Sequence, residues 1–351
     1  MSLHDALGVP RPSDSKGLAE LRRRMLTAAE LQTMTFPARQ SYIDGIVLEG
    51  VTVIGGKPKL GKSWFVLRAG ITIASGGVAF GNPLRGVTAA PVLYLGLEDG
   101  PKRLQDRLAA LEPGQWPDSL TVVDTWPRFD AGGIDLLAEV VDSDGFRVVV
   151  IDTLARVRTP RKGKDSYQED SDAIGQIHDL TRERPGLAVV LVHHNRKDDT
   201  PDDYIDALSG TTGITGVVDH IAVLQRGRGE ADAVLRFTSR DADEHDTAFG
   251  FDSGCWTELG TAAEHDLTRA RKAVLDAVID LREAGVTDIA AMVDRPKGNT
   301  LRLLRALEEE GLIYQDGARG PWKPSNLSNS DNSELSQLSE LPGFLETRGG
   351  E

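Results

Sequence analysis

The strongest chemical signal in the sequence is a glycine-rich segment that ends in a lysine and a serine. It spans Gly56–Ser63 and matches G-x-x-x-x-G-K-[ST] at every fixed position. Its glycines let backbone N–H groups turn toward phosphate oxygens at the positive end of the following helix. Lys62 can supply charge to the β- and γ-phosphates of ATP, and the Ser63 hydroxyl can bind Mg²⁺. The residues predicted to bind the nucleotide are Gly56, Lys57, Pro58, Lys59, Leu60, Gly61, Lys62, Ser63 and Trp64.

A phosphate-binding loop of this kind needs a carboxylate to complete the magnesium site. The apolar run Val148–Ile151 has the composition of a buried strand and leads directly into Asp152. Asp152 is therefore predicted to anchor the metal together with Ser63. The next residue is Thr153 and not a glutamate, so the group that activates the attacking water must come from another part of the chain.

A second strand-like run offers this group. Leu93–Leu97 ends in Glu98 and Asp99, and the carboxylate of Glu98 can polarise a water molecule and accept its proton. In the alternative interpretation, the two acids only cap the helix predicted to begin near Lys102. Both interpretations place Glu98 at the carboxyl end of a strand, beside the predicted metal site.

These residues need a scaffold, and from Val51 the sequence alternates between strand and helix patterns. Short apolar strands joined by helices predict an α/β fold with a mainly parallel sheet covered on both faces. After Ala231 the pattern changes to three short strands, which are predicted to be antiparallel and to lie at the edge of the sheet. The predicted parallel strands are Val51–Ile54, Val92–Leu97, Leu120–Val123, Val148–Ile151, Ala188–Val192 and Ile221–Leu224, with helices at Trp64–Ala74, Lys102–Leu111 and Asp172–Arg182.

The chain divides into five predicted segments. Residues 1–15 form a disordered N-terminus, 16–45 an N-terminal helical linker, 46–260 an ATPase core, 267–324 a winged helix-turn-helix and 325–351 a disordered tail. The fourth segment shows the order helix, short helix, turn, helix, β-hairpin. Its third helix, Thr300–Glu310, is expected to turn Leu301, Leu304 and Leu307 inward and Asn299, Thr300, Arg302 and Arg305 outward. This helix can contact DNA, but its acidic end also fits a protein-docking module.

Composition limits the possible classes of protein. The net charge of −14 over 351 residues counts against a surface that coats DNA non-specifically, although a local basic channel remains compatible with it. The single cysteine, Cys255, excludes a disulfide framework and a cysteine-rich zinc site. No segment has the pattern of a signal peptide or membrane span, so a cytoplasmic protein without membrane contacts is expected.

The order of these motifs resembles the RecA superfamily, in which a phosphate-binding loop is followed by a glutamate-ending strand and an aspartate-ending strand. Over about residues 25 to 255 the chain is similar to the RepA-like branch of hexameric replicative helicases, which are AAA family ATPases. The resemblance implies a RecA-like core and a homo-oligomeric, hexameric ring with ATP between subunits. The matching segments are Tyr42–Gly45, Gly56–Lys59, Leu97–Asp99, Arg103–Leu104, Arg107–Leu108, Ile151–Arg156 and Val192–Lys197.

The resemblance also assigns roles to residues that local patterns leave open. His194 takes the position of a γ-phosphate sensor, or is otherwise a structural histidine. Arg226, with Arg228 as the second choice, takes that of an arginine finger that reaches the neighbouring subunit's nucleotide, or is otherwise a solvated charge. Two loops, at residues 158–169 and 196–208, take the place of channel loops that contact single-stranded DNA, or are solvated loops. Their basic residues are Arg161, Lys162, Lys164, Arg196 and Lys197.

The expected activity is ATP-driven movement along single-stranded DNA during replication of a plasmid, phage or other mobile element, in contact with replication partner proteins. Two alternatives remain open. The first is a recombination or repair ATPase that forms filaments. The second is a nucleotide-switched initiator or regulator, in which the winged helix recognises DNA and ATP controls assembly.

Overall fold

The computed structural model describes residues 18–19, 21–22, 25–159, 166–193, 216–226, 232–317 and 320–325. Within these residues the helices are α1 (Ala28–Thr33), α2 (Lys62–Ser75), α3 (Pro101–Leu111), α4 (Gly133–Asp144), α5 (Leu154–Val157), α6 (Ser166–Arg182), α7 (Ala262–Leu281), α8 (Val286–Met292) and α9 (Lys297–Glu309). The strands are β1 (Ser41–Ile43), β2 (Val47–Leu48), β3 (Gly50–Gly55), β4 (Val92–Gly96), β5 (Leu120–Val123), β6 (Val148–Asp152), β7 (Ala188–Val192), β8 (His220–Arg226), β9 (Asp232–Ser239), β10 (His245–Asp252), β11 (Cys255–Thr261), β12 (Ile313–Gln315) and β13 (Trp322–Pro324).

A nine-stranded sheet supports the candidate site, in the order β11-β10-β9-β8-β3-β7-β6-β4-β5. The strands from β8 to β5 in this order run parallel, and β9, β10 and β11 add to β8 as antiparallel strands. The predicted α/β fold with a mainly parallel sheet is confirmed, as is the antiparallel edge. Because parallel strands end on the same side of a sheet, β3, β4 and β6 bring the glycine-rich loop and both acid-bearing segments to one edge.

Alternating side chains of the central strands enter two separate cores. On β3, Ile54 belongs to the core that contains Phe65 of α2, whereas Val53 belongs to the core that contains Ile177 of α6. A strand buried on both faces is apolar at successive positions, and this explains the continuous apolar runs of the sequence. The helices α2 and α3 cover one face of the sheet, and α4, α5 and α6 cover the other.

Three elements differ from the expectations. Strand β1 lies in the segment predicted to be a helical linker, because Tyr42 and Ile43 are buried and the strand pairs with β2. Helix α4 is not predicted, since it begins at Gly133, beside a second glycine that favours a turn. Helix α6 begins at Ser166, so part of the predicted loop 158–169 is helical.

The C-terminal helices and the β12–β13 hairpin form a winged helix-turn-helix, as predicted. Trp322 and Leu304 lie at the centre of a separate apolar core. Leu304 and Leu307 are buried as predicted, and Leu301 is half-buried against the same core. The outward orientation predicted for Thr300 is wrong, because this residue is fully buried. The Thr300 hydroxyl donates a hydrogen bond to the Pro296 carbonyl oxygen at 3.2 Å, which satisfies this polar group inside the core.

The winged helix follows the ATPase sheet directly. Strand β11 ends at Thr261, and the same residue caps α7 through a reciprocal hydrogen-bond pair with Glu264. Helix α7 thus begins seven residues before the predicted Arg269. Within the described residues, every helix is too short or too polar to cross a lipid bilayer.

Candidate active site

The glycine-rich segment forms a loop between β3 and α2, and close contacts require two of its glycines. Gly56 has a φ of 152°, and a Cβ atom there would lie 2.6 Å from the Leu224 carbonyl oxygen. Gly61 has a φ of 100°, and a Cβ atom there would lie 3.0 Å from the Trp256 ring. A side chain at either position would push the loop away from β8 or from the ring. The two glycines therefore allow the loop to pack closely against β8 and the Trp256 ring, at the N-terminus of α2, where an anion is favoured.

Lys62 extends into the loop that precedes it. Its Nζ atom donates hydrogen bonds to the carbonyl oxygens of Gly56 at 2.7 Å and Lys57 at 2.9 Å, and the residue is only 3% exposed. Burial lowers the pKa of Lys62 to about 8, although the nearby carboxylates of Asp152 and Glu98 act in the opposite direction. In its charged form this ammonium is well suited to hold phosphate oxygens, and the lowered pKa means that part of the charge is lost as the pH rises through about 8.

Asp152 ends β6 and is 3% exposed. The Tyr94 hydroxyl donates a hydrogen bond to its Oδ2 atom at 3.0 Å, while its buried Oδ1 atom has no hydrogen-bond partner among the described residues. Burial raises the pKa of this carboxyl, and hydrogen bonds from Ser63 and Tyr94 lower it. The Ser63 hydroxyl and a carboxylate with one unpaired oxygen form the hard oxygen set that Mg²⁺ prefers. The two residues fit the predicted metal.

Glu98 lies beside Asp152, because Gly96 on β4 pairs with Asp152 on β6. The Leu97 N–H group donates to the Asp152 carbonyl oxygen at 2.8 Å, which fixes the turn that follows β4. The Thr153 hydroxyl donates to Glu98 Oε1 at 3.3 Å. Glu98 is exposed to solvent, so its carboxylate can contact both water and a nucleotide bound in the glycine-rich loop.

The alternative prediction, that Glu98 or Asp99 caps the next helix, is wrong. Helix α3 begins at Pro101 with Gly100 as its N-cap residue, and no side chain caps it. Asp99 is instead buried and forms ion pairs with Arg103 at 3.1 Å and with Arg107. The turn is thus held by an ionic contact from within α3 and not by a helix cap.

Arg226 ends β8 and lies against aromatic side chains of its own chain. Its guanidinium carbon is 4.8 Å from the Phe251 ring centroid and 5.2 Å from the Trp256 centroid. Its Nε and Nη2 atoms are buried and have no hydrogen-bond partner among the described residues. These contacts place the guanidinium against the aromatic rings of β10 and β11, and the predicted role as an arginine finger stays a prediction.

The remaining predicted site residues lie outside the described part of the chain. They are Arg161, Lys162, Lys164, His194, Arg196, Lys197 and the second-choice finger Arg228. The described residues on either side of the first loop contact each other, since Arg158 forms an ion pair with Asp170 at 2.7 Å. His193, the last described residue after β7, donates its N–H group to the Ile54 carbonyl oxygen of β3 at 3.0 Å.

Sequence patterns do not identify several side chains that shape this site. Tyr94 is the one aromatic residue in an otherwise aliphatic β4, which is a usable signal for a buried polar contact. Phe251 and Trp256 come from the antiparallel edge strands, and no local pattern links them to the loop. Arg107 lies eight residues after Asp99, and the two side chains meet because the turn after β4 places Asp99 beside α3.

Two solved structures are similar to the chain. One is the structure of an ATPase domain, which at 15% identity and a TM-score of 0.46 covers 71% of this chain and 100% of its own. The other is a KaiC-like protein of the hyperthermophilic archaeon Pyrococcus horikoshii OT3, which at 14% identity and a TM-score of 0.43 covers 62% of this chain and 93% of its own. No protein of curated function matches the sequence.

Models of two protein families match separate parts of the chain. The IclR helix-turn-helix domain matches residues 272–317, which contain α8 and α9. The AAA domain matches residues 18–200, more than half of the chain, and this range contains the glycine-rich loop, Glu98 and Asp152. With the loop, the buried lysine and the two carboxylates at one sheet edge, the chain belongs to the AAA domain family of ATPases and carries a C-terminal helix-turn-helix.

Proposed function

We propose that the chain binds ATP with Mg²⁺ and hydrolyses it, using Lys62, Ser63, Asp152 and Glu98. The observation that supports this most strongly is the Asp152 carboxylate, which is buried at the end of β6 with an unpaired Oδ1 atom and lies beside Ser63 and Glu98. A buried carboxylate with an unpaired oxygen is costly unless it serves a ligand. A magnesium ion would supply positive charge to the terminal phosphates and to this carboxylate.

In this proposal, Lys62 transfers its hydrogen bonds from the loop carbonyl oxygens to β- and γ-phosphate oxygens. Ser63 and Asp152 orient the metal, and Glu98 holds a water molecule in line with the γ-phosphorus. The water oxygen bonds to phosphorus as the bond to the β-phosphate oxygen breaks, and Glu98 takes the proton of the water. The products are ADP and inorganic phosphate.

The substitution Glu98→Gln tests this assignment. The amide can still hydrogen-bond water but cannot take its proton, so we expect ATP binding within about threefold of wild type and turnover at least about 100-fold lower. Glu112→Gln, at the end of α3 and away from the site, is the matched control and should behave as wild type. If Glu98→Gln turns over ATP within about tenfold of wild type, the activation free energy has risen by less than about 1.4 kcal/mol, and Glu98 is not the base.

We further propose that hydrolysis drives movement on single-stranded DNA in a ring, as in RepA-like helicases. The resemblance supports this, together with the basic residues Arg161, Lys162 and Lys164 in the segment 158–169, which the sequence predicts to be a channel loop. Replacing Arg161, Lys162 and Lys164 with alanine should abolish ATPase stimulation by single-stranded DNA and spare basal hydrolysis. Removing one phosphate contact should flatten the slope of log affinity against log salt by about 0.7.

A second candidate function is recognition of duplex DNA by the winged helix, with ATP as a switch. The specific observation is that α9 carries exposed Lys297, Arg302 and Arg305, and that exposed Arg295 lies just before the helix begins. The acidic end of α9 does not oppose this, because two of its acids contact the domain itself. Glu310 forms an ion pair with Arg271, and Glu308 accepts a hydrogen bond from the Gln315 N–H group.

The double substitution Arg302→Ala with Arg305→Ala distinguishes the two proposed functions. If α9 reads duplex DNA, Arg302→Ala with Arg305→Ala should weaken duplex binding at least about tenfold, and Lys272→Ala, an exposed charge on α7, should not. If the core loop tracks single strands, the same α9 variant should keep its stimulation by single-stranded DNA. Suppose instead that the α9 variant loses stimulation by single-stranded DNA while the variant of Arg161, Lys162 and Lys164 keeps it. This result would contradict movement on single strands and favour duplex recognition with ATP as a switch.

A further inference from the structure

The turn that carries Glu98 is joined to β6 at one end and to α3 at the other. On the side of β6, the Leu97 N–H group donates to the Asp152 carbonyl oxygen at 2.8 Å and the Thr153 hydroxyl donates to Glu98 Oε1 at 3.3 Å. A general base must be held within a fraction of an ångström of its water, and a misplacement of about 1 Å costs about 100-fold in rate. The residue that fixes the other end of the turn therefore bears on catalysis.

That other end is Asp99, and two arginines of α3 contact it in different ways. Arg103 pairs with Oδ1 at 3.1 Å from a side chain that is 67% exposed, whereas Arg107 pairs with Oδ2 from a side chain that is 17% exposed. Ion pairs in contact with solvent contribute little, because water screens them and the side chains stay mobile. Arg107 is therefore the contact that restrains Asp99.

Arg107 also contacts the other half of the site. Its guanidinium lies over the Trp64 ring, 5.4 Å from the centroid, and Trp64 directly follows Ser63 on α2. Leu104, one turn earlier on α3, packs where a side chain at Gly96 would lie, with a Cβ atom there 2.9 Å from its Cδ2. The helix α3 is thus fitted closely against the end of β4.

We propose that Arg107 is a positioning residue that, through Asp99, fixes Glu98 relative to Ser63 and the metal site. The inference rests on the proposed function, because it assigns Arg107 to the same reaction. Arg107 bridges the segment that carries the base and the helix that carries the metal-binding serine. It is expected to act on the rate of hydrolysis and not on the affinity for ATP.

The test compares Arg107→Ala with Arg103→Ala, two truncations that remove a partner of the same carboxylate. For the full chain, Arg107→Ala should lower kcat at least about tenfold while the Kd for ATP, measured by direct titration, stays within about threefold. Arg103→Ala should stay within about twofold in both. A higher Kd with unchanged kcat would instead mean that Arg107 contacts the nucleotide, and it would overturn the proposal, as would wild-type values of both.

Two further variants separate positioning from stability and from the role of Glu98. The pair Asp99→Asn with Arg107→Gln leaves no unpaired buried charge, so its melting temperature should stay near wild type while its kcat remains low. Recovery of wild-type kcat in this pair would overturn the proposal. In a Glu98→Gln background, Arg107→Ala should add no further loss. A second tenfold loss of kcat in this double variant would contradict the proposal for Arg107 and leave the proposed function intact. Wild-type turnover of the single variant Glu98→Gln would instead contradict the proposed function itself.

Discussion

The indole N–H group of Trp256 donates a hydrogen bond to the Gly61 carbonyl oxygen at 3.0 Å, although 195 residues separate the two. Gly61 is the N-cap residue of α2, and its carbonyl oxygen also accepts the N–H group of Phe65. The ring of Trp256 is buried against Phe251 and Phe65. An edge strand of the sheet therefore restrains the phosphate-binding loop at the point where the loop becomes a helix.

Substituting Trp256 by phenylalanine should weaken ATP binding about fivefold, because the variant lacks one hydrogen bond, worth about 1 kcal/mol, that shapes the loop. The free energy of unfolding should fall by about 1–2 kcal/mol as ring volume is removed. Trp322→Phe, in the equally buried core of the winged helix, is the control. It should lose similar stability and keep its ATP affinity, both measured by titration and thermal melting. Unchanged ATP affinity in Trp256→Phe would show that the loop does not depend on this hydrogen bond.

ATP affinity should decrease as the pH rises above about 8. Burial lowers the pKa of Lys62 to about 8, so the free site loses its ammonium charge above that pH. Phosphates bind the charged form, and binding at higher pH must therefore take up a proton, which weakens affinity by up to about tenfold per pH unit. Titrations between pH 7.5 and 9.5 check this. Lys62→Arg, whose guanidinium stays charged, should give a flat profile, and a flat profile for the wild type would contradict the assignment.

Tyr94→Phe should raise the magnesium requirement for hydrolysis about three- to tenfold. The Tyr94 hydroxyl lowers the pKa of Asp152, and its removal lets burial raise that pKa further. More of the carboxyl is then protonated at a given pH, so the acid limb of the pH–rate profile should move to higher pH. Tyr42→Phe removes a comparable hydrogen bond, to the Gly186 carbonyl oxygen away from the site, and should leave magnesium dependence unchanged. Equal behaviour of the two variants would refute the link to Asp152.

Arg226→Ala should bind ATP normally and lose turnover by at least about 100-fold if Arg226 completes a neighbour's site. Mixing it with an excess of Lys62→Ala subunits should then restore part of the activity, at interfaces that pair an intact loop with an intact arginine. Subunit exchange is verified by energy transfer between labelled chains. If exchange occurs and activity does not return, Arg226 acts within its own subunit, where it already lies over Phe251 and Trp256.

The scaffold and the acids at the sheet edge follow from local pattern. Apolar runs buried on both faces predict β3, β4 and β6, and the residue that ends each run falls at the same edge because the strands are parallel. The strand pattern alone therefore predicts that Glu98 and Asp152 lie at the same edge of the sheet, whereas their being neighbours depends on the order of the strands. Their exact pairing, Gly96 beside Asp152, depends on strand register, which neither segment specifies by itself.

The parts that cannot be predicted depend on contacts between distant segments or on polar groups with internal partners. In the sequence, Trp256 is one more apolar residue of an edge strand. Its hydrogen bond to Gly61 can be recognised only once the fold shows that β11 lies beside α2. Thr300 reads as a polar, outward residue, but its hydroxyl is satisfied by Pro296 four residues earlier, so burial costs little. Glu98 and Asp99 fit a helix cap by position, yet the half-buried Arg107 of α3 offers Asp99 a stronger partner.

Strand β11 and helix α7 have no spacer between them, since Thr261 is both the last strand residue and the helix cap, and this limits how the two domains could act together on one DNA molecule if both bind it as proposed. A flexible tether would let each domain find its own segment, with an effective concentration set by tether length. Here His265 on the first turns of α7 contacts Asp232 of β9 at 3.3 Å, which joins helix and sheet a second time. Helix α7 is thus joined to the sheet both by the chain itself and by this contact, and a duplex bound by the winged helix, as proposed, would meet the core through this junction and not through a flexible tether.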